Sequence, residues 1–179
     1  MARILLACST VDGHTRTICQ RIEQRLAAAG HAVTLRVMEE VTAADVTAHD
    51  KVVVGASIRY GKHRPNVLAF ANEHAAALAA RPSAFFSVNI VARKPLKNRA
   101  ETNPYVIKFL QQVRWRPTVA DVFAGKLDYP RYRFFDRLMI RFIMLVTKGP
   151  TDPTVVVEFT DWDRVDAFAQ QVGAMQLRR

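Results

Sequence analysis

Ser9-Thr10-Val11-Asp12-Gly13-His14-Thr15 joins an apolar run to an amphipathic one, and this junction constrains the fold more than any other stretch. Ahead of it, Ile4-Leu5-Leu6-Ala7-Cys8 reads as a short buried strand. Behind it, Arg16 to Ala29 carries Ile18, Ile22 and Leu26 at four-residue spacing and stops at Gly30, the pattern of a helix with one buried face. The stretch is therefore a strand-to-helix turn. Three hydroxyls, a glycine and several backbone N–H groups meet at a helix N-terminus, where the N–H groups lack intrahelical partners and the helix dipole favours negative charge. The same residue types also make an ordinary N-cap. No Gly-x-x-x-x-Gly-Lys-Ser/Thr motif occurs, which disfavours a nucleoside triphosphate. No Gly-x-Gly-x-x-Gly occurs either, which disfavours a dinucleotide and leaves a monophosphate ester.

The alternation continues along the chain. Ala32 to Val37 reads as a second strand, followed by a short helix around Ala43 to Ala48. Lys51 to Ser57 is β-branched and apolar on both faces, as a central parallel strand requires. Pro65 opens a helix whose buried stripe is Val67, Leu68, Phe70, Ala71, Ala75 and Leu78. Ser83 to Asn89 is a fourth strand, Asn103-Pro104 starts a helix through Val113, and Val119 to Ala124 is a fifth strand. Thr154 to Phe159 reads as a continuation of that strand. The closing helix runs from an N-cap at Asp161 to about Met175, with Val165, Phe168, Ala169 and Val172 inside. The expectation is one α/β domain over 1–179, a doubly wound five-stranded parallel sheet covered on both faces. Ligands of such sheets lie beyond the C-terminal strand ends. The loops 9–15, 57–63 and 87–95 leave those ends and are rich in hydroxyl, amide and aromatic groups, so one shared ligand cleft is expected, suited to a monophosphate such as that of FMN.

Charge is concentrated rather than spread. The chain carries +10, and residues 93–148 hold 13 Lys and Arg against 4 Asp and Glu. Such a patch expects an anionic partner. Its centre is an insertion, 126–149, after the fifth strand, where Tyr129-Pro130-Arg131-Tyr132-Arg133 leads into a helical run. Arg133, Arg137 and Arg141 recur every four residues and share a helix face, while Phe, Leu, Met, Ile and Val fill the rest. Two readings fit: a helix packed on the core with its arginines in solvent, or an interfacial helix with arginines at lipid headgroups. No nucleic-acid-binding motif accompanies the patch. Cys8 and Cys19 read as buried thiols, and no metal-ligand cluster is recognised. No run of about 18 uncharged apolar residues exists, so no spanning helix is expected and a cytoplasmic protein is.

Six segments together resemble the flavodoxin-like, quinone-dependent protoporphyrinogen IX dehydrogenases. They are Ser9–Thr15, Val54–Gly61, Ser87–Pro95, Trp115–Pro117, Tyr129–Arg133 and Thr160–Trp162. The first is common to flavodoxins generally, and the combination of the other five is specific. The resemblance implies a flavodoxin fold with non-covalent FMN, oxidising protoporphyrinogen IX to protoporphyrin IX with menaquinone or ubiquinone as acceptor. By position, Ser9, Thr10, Gly13, His14 and Thr15 would hold the phosphate, with Asp12 in the same loop. Ser57, Ile58, Arg59, Tyr60 and Gly61 would flank the isoalloxazine on one side, with Tyr60 stacking on it. Ser87, Val88, Asn89, Ile90 and Ala92 would flank the other side. Arg59, Arg93 and Lys94 would meet propionates, or Arg93 and Lys94 would form a solvated basic face. Arg131, Arg133, Arg137 and Arg141 would face the quinone and an anionic membrane, placing the protein peripherally on its inner face. His63 is expected in solvent, and no protein acid or base is assigned. A flavodoxin-type carrier and a nicotinamide-fed quinone reductase are the alternatives, although the basic cleft and the missing Gly-rich turn count against each. Nucleic acid is not expected as a partner, and homo-oligomerisation is left open.

Overall fold

The computed structural model describes residues 1–177. The chain begins β1 (Arg3–Ser9), α1 (His14–Ala28), β2 (Ala32–Val37), α2 (Ala43–Ala48), β3 (Lys51–Arg59) and β4 (Lys62–His63). It continues α3 (Pro65–Glu73), α4 (Ala75–Ala79), β5 (Ser83–Val88), α5 (Pro104–Gln112), β6 (Val119–Phe123) and β7 (Lys126–Asp128). The last elements are α6 (Phe134–Val146), β8 (Val156–Glu158) and α7 (Trp162–Ala174). Five strands pair in parallel in the order β2-β1-β3-β5-β6, and β4 folds back antiparallel on the end of β3. The order reverses between β1 and β3, so the switch point falls where the loops after those strands emerge.

Alternate residues of the central strands feed two cores. Leu5, Val52, Val54 and Phe85 face Val67, Phe70, Phe109 and Trp115 on one side of the sheet. Ile4, Leu6, Val53 and Phe86 face Ile18, Ile22, Val165 and Phe168 on the other. Cys8 and Cys19 are free thiols buried in the second core. The helices on that second face are tied by Arg21 of α1, which grips Asp166 of α7 through two hydrogen bonds of 2.7 and 2.8 Å. Arg25 bonds the same carboxylate, and these guanidinium hydrogen bonds hold Asp166 well below the usual carboxylate range.

Three departures from the sequence reading have local causes. Gly13 adopts φ 88° and serves as the N-cap, so α1 starts at His14 rather than Arg16. The helix after Pro65 breaks at His74 into α3 and α4. Residues 156–158 do not continue β6. They pair antiparallel with β7 in a separate ribbon, closed by the Phe159 N–H donating to the Gly125 carbonyl at 3.1 Å. That ribbon brings the two ends of the insertion together, so α6 grows from the C-terminal edge of the sheet.

Gly55 sits opposite Phe86 in the β3–β5 ladder. A Cβ there would lie 2.3 Å from the Phe86 ring. Gly55→Ala should therefore destabilise the protein by about 1–3 kcal/mol, as overpacking does, measured as a lowered denaturant midpoint. Unchanged stability would mean that β3 and β5 are not in this register.

Candidate functional site

The turn after β1 is built to leave groups unpaired. The Thr10 hydroxyl accepts from the Gly13 N–H at 3.0 Å, which folds the loop back on itself. Gly13 in the left-handed region then aims the first N–H groups of α1 outward, where no helical carbonyl precedes them. The Oγ of Ser9, the Oγ1 of Thr15 and the Oγ of Ser57 are buried without a hydrogen-bond partner among the described residues. A buried hydroxyl left unsatisfied costs about 1–3 kcal/mol. Two of them belong to the ends of β1 and β3, the third to the first turn of α1, all at the switch point. Such a set is complementary to a ligand rich in oxygen acceptors. His14 extends the wall: its Nε2 bonds the Thr160 hydroxyl at 2.6 Å, and that hydroxyl donates to the Ala124 carbonyl. With the hydroxyl proton so engaged, Nε2 is the donor, leaving Nδ1 as an acceptor. Burial lowers the His14 pKa.

A cleft opens from this turn. Its sides are Ile58 to Gly61 and Val88 to Val91, and its roof is α6. A charged clasp holds the roof. Arg59 donates to both Asp12 oxygens, at 2.8 and 3.0 Å, and to Asp136 of α6 at 2.6 Å. Asp136 also accepts from the Tyr60 hydroxyl. Tyr60 itself has φ 50°, an unfavourable setting for a non-glycine residue, and its ring lies under the Arg59 guanidinium at 5.2 Å. A second tie runs from Arg93 to the Thr147 carbonyl and hydroxyl at the end of α6. Held there, α6 turns Ile140 and Met144 into the cleft.

The flavodoxin domain family matches residues 5–154. Protoporphyrinogen IX dehydrogenase (quinone) of Leishmania major is 45% identical over 98% of this chain and 76% of its own. The protein of that name from Escherichia coli strain K12 is 42% identical over 96% of this chain and 94% of its own. The chain belongs to this family of flavodoxin-like dehydrogenases. Among solved structures, oxidised flavodoxin 1 from Bacillus cereus superposes over 97% of this chain and 99% of its own, with TM-score 0.56 and 12% identity, a likeness of fold. The flavodoxin domain implies a flavin cofactor, and the orphaned hydroxyls at the left-handed turn fit the acceptor-rich tail of one.

The family member's own geometry revises several sequence expectations. Thr10, His14, Thr15, Ser57 and Ile58 line the cleft with Tyr60 and Gly61. Asp12 also lines it, but its carboxylate is held by Arg59, so it braces the loop instead of meeting an anion. Ser87 turns inward: its Oγ bonds His63 at 3.0 Å and accepts from Asn89. The Asn89 side chain accepts from the Ala92 N–H and exchanges hydrogen bonds with Asn103, making it a buried brace for the loop. Ala92 is buried away from the cleft, whereas Val88, Asn89 and Ile90 line it. Arg59 and Arg93 are engaged by protein groups, so neither presents a free guanidinium for a propionate, and Arg93 is not part of a solvated basic face; Lys94 has no side-chain partner among the described residues.

The insertion also departs from a simple arginine stripe. Arg131 lies beside the phosphate-type loop, near Gly13 and Thr17. Arg137 folds back onto the Tyr132 carbonyl and Arg141 donates to the Thr151 carbonyl at 3.0 Å, though Arg141, like Arg133, stays exposed. The apolar face is not packed on the core: Phe135 is 81% exposed, Phe142 67% and Leu145 68%. No helix of the described residues is long and apolar enough to cross a membrane. Sequence reasoning missed Tyr105, Tyr132 and the inner face of α6 as cleft walls. One signal was available, since Asp136 is the sole acidic residue between 129 and 151.

His63 is buried between Phe85 and Phe109 rather than solvated, and burial pulls its pKa down to about 4. An unfolded histidine titrates near 6.5, so the unfolded chain takes the proton first. The stability held by neutral His63 is complete above about pH 6.5 and is lost as pH falls toward 4. Between pH 7 and 4.5 this amounts to about 2–3 kcal/mol. His63→Gln should flatten that acid loss in urea unfolding, and an equally steep loss in the variant would place the acid sensitivity elsewhere.

Proposed function

We propose that this protein oxidises protoporphyrinogen IX to protoporphyrin IX with non-covalently bound FMN and passes the electrons to menaquinone or ubiquinone at an anionic membrane surface. The observation that carries the cofactor assignment is the trio of unpartnered hydroxyls, Ser9, Thr15 and Ser57, around the left-handed turn at Gly13. Names carried by relatives at 42–45% identity support the substrate and the acceptor. When bound, FMN supplies two-electron redox chemistry, so three rounds account for the six electrons of porphyrin formation.

The chain's own residues bind, orient and shield. Thr10 shapes the turn, Thr15 and Ser9, whose hydroxyls lack partners among the described residues, would donate to phosphate oxygens, and the first N–H groups of α1 would add a favourable dipole. Ser57 and the backbone of Ile58 to Gly61 would hold the ring on one side of the cleft they line, and Val88 to Val91 on the other. Ile140 and Met144 keep water from the roofed end. Outside, α6 offers Phe135, Leu138 and Phe142 to the acyl boundary, with Arg133 and Arg141 near headgroups. Two cations near an anionic leaflet add roughly 2 kcal/mol, and each buried Phe about 2 kcal/mol more.

Porphyrin fluorescence should appear without oxygen when a menaquinone or ubiquinone analogue is added, and little should appear without it. Turnover driven by NAD(P)⁺ alone would replace this reading with a nicotinamide-linked one. Thr15→Ala should weaken FMN binding by about 10- to 100-fold, the value of a charge-assisted hydrogen bond, while the apoprotein loses no stability because that hydroxyl has no partner there. An FMN titration matching the parent's would remove Thr15 from the site. Arg133→Glu with Arg141→Glu and Phe142→Ser should release the protein from anionic vesicles with FMN retained. Undiminished co-sedimentation would contradict membrane docking by α6.

A further inference from the structure

Gly61 and Tyr105 line the cleft, and both also line a second groove beside it. Pro65 and Leu68 of α3 and Phe109 of α5 supply apolar walls to this groove. Lys62 of β4 and Lys108 of α5 also line it, both exposed, and neither ammonium has a partner among the described residues. Among the described residues, no Asp or Glu lines the groove. The contrast with the cleft's own cations is direct. Of the two that line it, Arg59 is answered by two carboxylates and Lys126 by Asp128 at 3.8 Å. Beyond Gly61, Lys62 and Lys108 form a pair of free cations in one groove that adjoins the cleft. At Gly61 φ is +75° and the missing side chain leaves open space, with nothing within 4 Å of where a Cβ would stand. A bulky residue there would narrow the passage between the two hollows.

We propose that this groove receives the carboxylate-bearing edge of the substrate, a largely apolar macrocycle with two carboxylate side chains, and that Lys62 and Lys108 are the residues that select for those carboxylates. The assignment rests on the oxidation reading above and adds where the charged edge lies. The chemistry matches in two respects. The ring needs apolar walls adjoining the cleft, which Pro65 and Leu68 offer at the surface. Its two short acidic arms need cations that no protein carboxylate already holds. Ammonium groups on flexible stems suit arms that are themselves flexible. Both lysines are in water, so each pairing is worth at most about fivefold in affinity and should weaken with salt.

The test compares the FMN-loaded parent with Lys62→Gln/Lys108→Gln, using protoporphyrinogen IX and its dimethyl ester, anaerobically with a quinone analogue. The KM for the diacid should rise about tenfold in the double variant with kcat little changed. The ester's KM should be the same in both proteins. Raising salt should raise the parent's KM for the diacid and leave the variant's flat. FMN affinity, read by flavin fluorescence, should not move, which separates substrate selection from damage to the cleft. An active parent with an unchanged diacid KM in the variant overturns the groove and leaves the oxidation reading standing. Equal losses for diacid and ester also overturn it, by showing that charge is not what the lysines read. A parent that oxidises neither compound overturns both proposals.

Discussion

One guanidinium joins three parts of this protein. Arg59, at the end of β3, lies between Asp12 of the turn after β1 and Asp136 of α6. The first carboxylate is half in solvent, while the second is largely buried and shared with the Tyr60 hydroxyl. Removing one partner of such a pair leaves a poorly solvated charge, which is costly. The clasp therefore couples the shape of the first loop, the strained backbone at Tyr60 and the position of the roof helix. The cleft is the space these three enclose.

α6 is apolar nearly all round, which an isolated surface helix is not. Its two sides have different surroundings. Ile140 and Met144 close the cleft, and Met144 also packs with Leu127 and Tyr129 under the insertion. Phe134, Phe135, Leu138 and Phe142 face outward. A single helix thus stands between the redox cleft and whatever covers its outer face. For a reaction joining a macrocycle to a lipid-soluble acceptor, that places the apolar surface within one helix diameter of the chemistry.

The five parallel strands, the capped helices and the loop after β1 were legible in the chain because they follow from short-range rules. Alternation marked β2, a β-branched run apolar on both faces marked β3, Asp161 and Asn103 marked helix starts, and Ser, Thr and Gly marked the turn. What escaped depends on distant partners. Nothing near His63 announces Phe85, Phe109 and Ser87 around it. Arg59 and Arg93 look like free cations until Asp136 and Thr147 arrive from 77 and 54 residues away. Asn89 lines the cleft, and its second role as a brace comes from Asn103, 14 residues on. Residues 154–159 have strand composition, but only the return of the chain to β7 decides which sheet they join.

The central claim is that the turn from β1 into α1 is a site for a phosphate ester, with Ser9 and Thr15 left unpartnered for its oxygens. FMN and riboflavin share the ring and the ribityl chain and differ in the phosphate alone. Equilibrium titration of the apoprotein with each, at one pH and salt concentration, isolates that group. Several charge-assisted hydrogen bonds at a helix N-terminus predict FMN binding at least about 100-fold tighter than riboflavin. Equal affinities for the two would contradict the assignment.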